Sequence, residues 1–192
     1  MESMSRWQPG TGERLQDAAL ELFERGYDNT TAAEIAERAG TAKSTFFRHF
    51  TDKREVLFAG TGEIADRAVA AIVAAVPGTT AFGLLDGVLR ATIQVFDPVK
   101  RVWYGRRQTV IDHNAELRER DLLKRQAQTE AITNALRERG LNGLSPNLVA
   151  ALIGLALHAT YTRWIEASED QDVAALAADV LAELRATVTT LN

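Results

Sequence analysis

The sequence contains no cysteine. That excludes a disulfide framework, a thiolate metal site and a cysteine nucleophile, and it suits a chain working in a reducing cytoplasm. Long apolar runs are missing too. The longest charge-free stretch, residues 140–162, has an apolar heart of ten residues at 148–157. A membrane span needs roughly 20, so a buried helix and no membrane contact are expected. The first ten residues lack the apolar segment of a secretory signal. Catalytic patterns are also absent. The histidines, His49, His113 and His158, are scattered, and there is no HExxH, nucleophile elbow or phosphate-binding loop. Gly10/Gly12 and Gly60/Gly62 are lone glycine pairs without a strand–turn–helix around them. We therefore expect no catalytic residue, no metal and no cofactor. Period-two alternation is absent as well, and β-branched residues never cluster, so no strand is expected and the fold class is all-α.

What remains is ordinary globular material: 192 residues, 46% hydrophobic and 25% charged, enough to bury a core. The net charge is −4, which by itself does not announce a nucleic-acid binder. Its distribution does more. Arg38, Lys43, Arg48, Lys53 and Arg54 face a single anion, Asp52, so residues 38–54 carry +4 while the rest carries −8. A local basic patch on an acidic chain fits a protein that must hold DNA at one place only.

The punctuation predicts about nine helices. Leu15, Ala18, Ala19, Leu22 and Phe23 make a first amphipathic helix that stops near Gly26. Thr31 and Glu34 form a capping-box pattern opening a short second helix, which ends before Gly40. A third runs from about Ala42 to His49, and a long fourth from Asp52 to about Val76, closed by Pro77 and Gly78. Further helices are expected over 80–96, 98–112, 115–139, 145–168 and 170–190. The predicted division is a DNA-reading domain over residues 1–55 and a second helical domain over 56–192.

Ile35, Ala36, Gly40 and Phe46 have the spacing of a helix-turn-helix. Ala36 must be small where two helices cross, and Gly40 supplies the turn. Phe46 and Phe50 anchor the second helix, which leaves Lys43, Ser44, Thr45, Arg48 and His49 free to meet a groove. A plain helical hairpin has the same spacing. The longer pattern is more specific: Gly26, Tyr27, Thr30, Thr31, Ile35, Ala36, Ala39, Gly40, Thr45, Phe46, Phe47, His49, Phe50 and Lys53. Over residues 12–58 it resembles the N-terminal domain of the TetR family of regulators. The resemblance implies a three-helix DNA-binding domain followed by a helical ligand-binding and dimerisation domain. It implies a repressor released from a palindromic double-stranded operator by a small molecule; an activator of the same fold and a helical adaptor without DNA binding are the alternatives. Lys43, Ser44 and Thr45 would face base edges. Thr31, His49 and Lys53 would hold phosphates. The sequence departs from the family pattern at three places. Thr41 and Ala42 replace the usual Val and Ser, which moves the expected cap of the reading helix to Thr41. Phe47 replaces a tyrosine that bonds phosphate. Arg6 and Trp7, ahead of the first helix, are a candidate minor-groove arm or a plain tail.

In the second half, aromatics collect in the middle helices. Phe96, Trp103, Tyr104, Arg106, His158 and Tyr161 are the candidate ligand-binding residues. Val99, Trp103, Arg106 and Val110 share a stripe, so Arg106 is expected to be buried and paired, either with Asp86 or Asp97 or with an acidic group on an apolar effector. His158 is read as a core histidine or a ligand contact. Gly60 and Gly62 fall inside the expected fourth helix and mark a candidate hinge. The last two helices, the eighth apolar nearly all round, are the expected homodimer surface, with reading helices about 34–36 Å apart on the operator.

Overall fold

A computed structural model describes residues 10–168 and 171–190, and every regular element among them is helical. Arg6, Trp7 and the expected helix start at Asp170 lie outside the described residues. By internal contacts the chain forms two compact units, the first of residues up to Ala59 together with Arg106–Arg120, the second of Gly60–Gly105 together with residues from Asp121 on. The sequence suggests a single cut at 55/56; the contacts add a later segment to the first unit.

The first unit is built on α1 (Thr11–Gly26), α2 (Ala32–Arg38) and α3 (Lys43–His49). α1 buries Leu15, Ala18, Ala19, Leu20 and Phe23. Buried in the same unit are Ile35 and Ala36 of α2, Phe46 of α3, and Val56, Leu57 and Phe58 of a short 3-10 turn. The start of α2 is fixed by its sequence. Thr31 Oγ1 accepts from the Glu34 N–H at 3.3 Å, and the Glu34 carboxylate accepts from the Thr31 N–H and hydroxyl, both at 2.8 Å. The later segment brings in the last seven residues of α6 (Arg101–Asp112) and the first six of α7 (Ala115–Glu138). There Val110, Ile111 and Leu117 are buried. Arg107, 6% exposed, donates to Leu57 O at 2.5 Å and lies 5.0 Å from the centre of the Phe58 ring.

The expected fourth helix is two elements. The 3-10 turn Glu55–Phe58 comes first, and α4 (Thr61–Ala74) begins only after Gly60. Gly60 has φ 83°, a left-handed conformation that no α-helix can run through, and it is the N-cap of α4. Gly62 then sits in the first turn. The hinge expectation rested on two glycines inside one continuous helix, and that premise is wrong. Upstream, the Asp52 carboxylate accepts from the N–H groups of Arg54 at 2.7 Å and Glu55 at 3.2 Å, which makes residues 52–55 a capped turn.

In the second unit α4 packs with α5 (Ala81–Thr92), α7, α8 (Ser145–Glu166) and α9 (Val173–Thr190) around Ile72, Leu84, Val88, Ile132, Leu136, Ile153 and Val180. α8 is long and apolar enough, by composition, to cross a membrane. It instead contributes Val149, Ala150, Ile153, Ala156, Leu157 and Trp164 to this core. Arg163 clasps Glu183 through two bonds of 2.9 and 2.7 Å, tying α8 to α9. Arg139, at the end of α7, donates to Ile72 O at 3.0 Å.

Candidate nucleic-acid interface

The α2–α3 turn presents α3. Gly40, at φ 67°, lets the chain reverse, so that the Gly40 N–H reaches Glu37 O at 3.0 Å and the Thr41 N–H reaches Ala36 O at 2.9 Å. Ala36 is 1% exposed, leaving no room for a larger side chain. α3 starts on Ala42, in extended conformation and with no side-chain cap. The expectation that Thr41 takes over the cap is therefore overturned. One residue too early for the role, Thr41 is half-buried.

Phe46 and Phe50 fix the inner side of α3, their ring centres 5.4 Å apart. Lys43, Ser44, Phe47, Arg48 and His49 are exposed on the outer side, while Thr45 is half-buried. The His49 ring also reaches α1, where a Cβ on Gly12 would stand 3.8 Å from its Nδ1. Phe47 is 50% exposed, and the Lys43 ammonium lies 5.9 Å from its ring centre.

The basic window is smaller than its charge count. Arg38 is paired with Glu21. Arg54 pairs with Asp52 at 2.8 Å and Glu116 at 3.4 Å; its guanidinium holds the Asp52 carboxyl below the usual carboxylate range. Lys53 is committed as well. Its ammonium donates to the carbonyls of Tyr27 (2.8 Å), Thr30 (3.1 Å) and Asp28 (3.3 Å), and sits 4.1 Å from the centre of the Tyr27 ring. An ammonium has three donors, so Lys53 staples the end of α1 to the segment that follows it. Burial pushes the Tyr27 phenol above its ordinary range. Thr31 is the N-cap described above. Its hydroxyl already donates to Glu34, and with its N–H, whose bond contributes most, it keeps the Glu34 carboxyl low and charged. Among the described residues, Lys43 and Arg48 are the two cations of the window with no hydrogen bond or ion pair to the protein.

The second candidate group lies in the other unit and is brought together only in part. Phe96 stacks on Trp164 at 5.0 Å; Tyr104 lies 5.6 Å from Trp164 and 6.2 Å from Tyr161; Trp103 meets Tyr104 at 5.3 Å. Tyr161 donates to Tyr104 O at 3.4 Å. Trp103 Nε1, Trp164 Nε1 and the Thr160 hydroxyl are buried and find no hydrogen-bond partner among the described residues.

Arg106 does not belong to this group. It is exposed, and it holds Glu24 on α1 through two bonds of 2.7 and 2.6 Å, inside the first unit. That pairing holds the Glu24 carboxyl below its usual range. The stripe argument fails at Arg106 and at Val99, which is 91% exposed, although Val110 at its other end is buried. The buried arginines are its neighbours Arg101 and Arg107. Arg101 stacks 5.5 Å from the Trp164 ring centre and caps the end of α8 by donating to Ala167 O (3.3 Å), Ser168 O and Gln171 O (3.1 Å). His158 is exposed, which rules out the core reading. Arg125 sits 2.7 Å from its Nδ1, and because a guanidinium only donates, Nδ1 accepts.

A short helix pair set on α1, with a polar outer face and a buried aromatic anchor, makes this a helix-turn-helix protein, and its second unit is a helical bundle. The model for bacterial regulatory proteins of the tetR family matches residues 15–60. TcmR, an HTH-type transcriptional regulator of Streptomyces glaucescens, is 36% identical over 84 residues, 43% of this chain. That match spans 37% of the length of TcmR. Among solved structures, the transcriptional regulator FadR from Bacillus subtilis, in complex with stearoyl-CoA, is similar over 88% of this chain and 95% of its own, with 23% identity and a TM-score of 0.58. NalD, the secondary repressor of a multidrug efflux pump in Pseudomonas aeruginosa, is similar over 90% and 92%, with 18% identity and a TM-score of 0.53. Likeness at these identities concerns the fold. Over residues 15–60 the chain is thus similar to the DNA-binding part of the tetR family of bacterial regulatory proteins.

Proposed function

We propose that the chain is a cytoplasmic transcriptional repressor that binds a palindromic double-stranded operator as a homodimer and releases it when a small molecule occupies the second unit. The observation that carries this reading is the outer face of α3, where Lys43 and Arg48 are unpaired beside exposed Ser44 and His49. A lysine there can donate to guanine O6 and N7, while Arg48 neutralises phosphate.

With so few open cations per head, one head alone binds weakly and two are needed. If about four cations per dimer displace counterions, log Kd against log salt should have a slope of magnitude about 3–4. The test starts from a pool of random duplexes from which the full chain selects its site. Lys43→Ala should weaken the selected duplex by about tenfold or more and random duplex much less. Equal losses on both would move Lys43 to the phosphate contacts. Failure to enrich any duplex would sink the reading.

For the effector, support comes from the aromatic group of Phe96, Trp103, Tyr104 and Tyr161 with Trp164. The expectation of an acid rested on Arg106, which is occupied by Glu24. Two indole N–H groups and a hydroxyl without partners favour instead an aromatic or apolar molecule bearing neutral oxygen acceptors.

A further inference from the structure

We propose that Phe47 reads sequence: its ring packs on the C5-methyl group of a thymine in each operator half-site. This rests on the DNA-binding reading and revises the expectation that position 47 is a phosphate contact lacking its hydroxyl.

The ring cannot turn away from the surface of α3. It stands edge-on to Phe46 at 5.4 Å and 82°, and Phe46 is fully buried, so the core holds Phe47 outward with half its surface exposed. It shares that outer side with Lys43, one turn earlier, whose ammonium lies 5.9 Å from the ring centre. A groove that receives Lys43 therefore receives Phe47 too.

What the ring can gain there is limited by its chemistry. It has no donor for a phosphate oxygen and none for the acceptors that purines present. Placed against a phosphate it would strip water from a charge and return nothing. Of the groups on the four base pairs in the major groove, only the thymine methyl is apolar. Residues 43 and 47 are about 6 Å apart along α3, about two steps of a duplex with a 3.4 Å rise. The thymine thus falls within about two base pairs of the guanine that Lys43 would read.

The test again uses the full chain and the duplex it selects from a random pool. Each thymine is replaced in turn by deoxyuridine, which removes the methyl and nothing else. One position per half-site should cost the wild type about fourfold in affinity, the value of one buried methyl group. Phe47→Ala should bind thymine and deoxyuridine duplexes equally, and Phe47→Leu should keep part of the discrimination. The proposal is overturned if deoxyuridine costs nothing at every position, a result that needs no variant and so does not depend on any variant folding. It is also overturned if the cost persists in Phe47→Ala. A Phe47→Tyr protein that tightens equally on selected and random duplexes would put the ring beside a phosphate, and that too is decisive against it. A wild type that selects no sequence would refute the DNA-binding reading itself, a result distinct from selection without methyl sensitivity.

Discussion

The Thr160 hydroxyl is fully buried on α8 and has no partner among the described residues, although a helical threonine ordinarily returns its hydroxyl to the carbonyl four residues earlier. Burying a donor unpaired costs about 1–3 kcal/mol. Thr160→Val keeps the shape and removes the donor, so without effector the variant should be more stable by about 1 kcal/mol, read as a shift of the urea midpoint at constant slope. If the hydroxyl serves an effector oxygen, the same variant should lose most of the stabilisation that effector gives the wild type. A destabilised variant would mean that the hydroxyl has a partner and the acceptor reading is unsupported. Arg106 carries the opposite lesson at this scale. Spacing placed it on an inward stripe, yet its neighbours Arg101 and Arg107 are the ones buried. One residue of rotation, 100° on a helix, is all that separates Arg106 from the buried Arg107. Sequence could not decide, because both buried arginines are satisfied by backbone carbonyls of Leu57, Ala167, Ser168 and Gln171. Carbonyl acceptors leave no trace in side-chain identity. Nor did the charge count reveal that Lys53 is spent on the carbonyls after α1.

At the scale of elements, Gly60 and Gly62 separate. Gly60 needs its positive φ, so Gly60→Ala should destabilise by about 1–2 kcal/mol through backbone strain alone, since an added Cβ there would meet nothing within 4 Å. Gly62 has ordinary helical surroundings and the same open space. Gly62→Ala should therefore stabilise by up to about 1 kcal/mol. Denaturant midpoints of the two single variants moving in the same direction would refute the assignment. The helices themselves were largely legible. The starts of α2 and α8 stand where the sequence puts them because Thr31 and Glu34, and Pro146 in the first turn of α8, act locally. The break at 59–60 was not, since Thr61, Gly62 and Glu63 continue a helical pattern and only the backbone angle of Gly60 interrupts it. Likewise, the stretches Ile93–Val95 and Pro98–Lys100, expected as parts of α-helices, are 3-10 turns, whose spacing is nearly indistinguishable from α over so few residues.

For the molecule as a whole, the reading requires two copies, and the second unit offers a face for them. Leu148 and Leu155 are 60% and 53% exposed on α8, two turns apart, with exposed Ala151 between them. On α9, Ala174, Ala178 and Ala182 are exposed at intervals of four, so a partner helix could approach closely. Scattered exposed leucines are unremarkable; a line of them along a core helix is the face that the proposed dimer would use. In a two-fold contact each substitution counts twice, which makes charge a sharp probe. Leu155→Lys adds a cation at a position already open to water, so the monomer should keep its helicity by circular dichroism and its own stability. In the dimer two cations would be buried without partners, at a cost of several kcal/mol, weakening association by about a hundredfold or more. Sedimentation at micromolar concentration should then show a wild-type dimer and a variant monomer. The monomer should in turn lose the selected operator while retaining weak binding to a single half-site. A wild type that sediments as a monomer at the concentration where it holds its operator would remove dimerisation from the mechanism, and a dimeric Leu155→Lys protein would move the contact off this face.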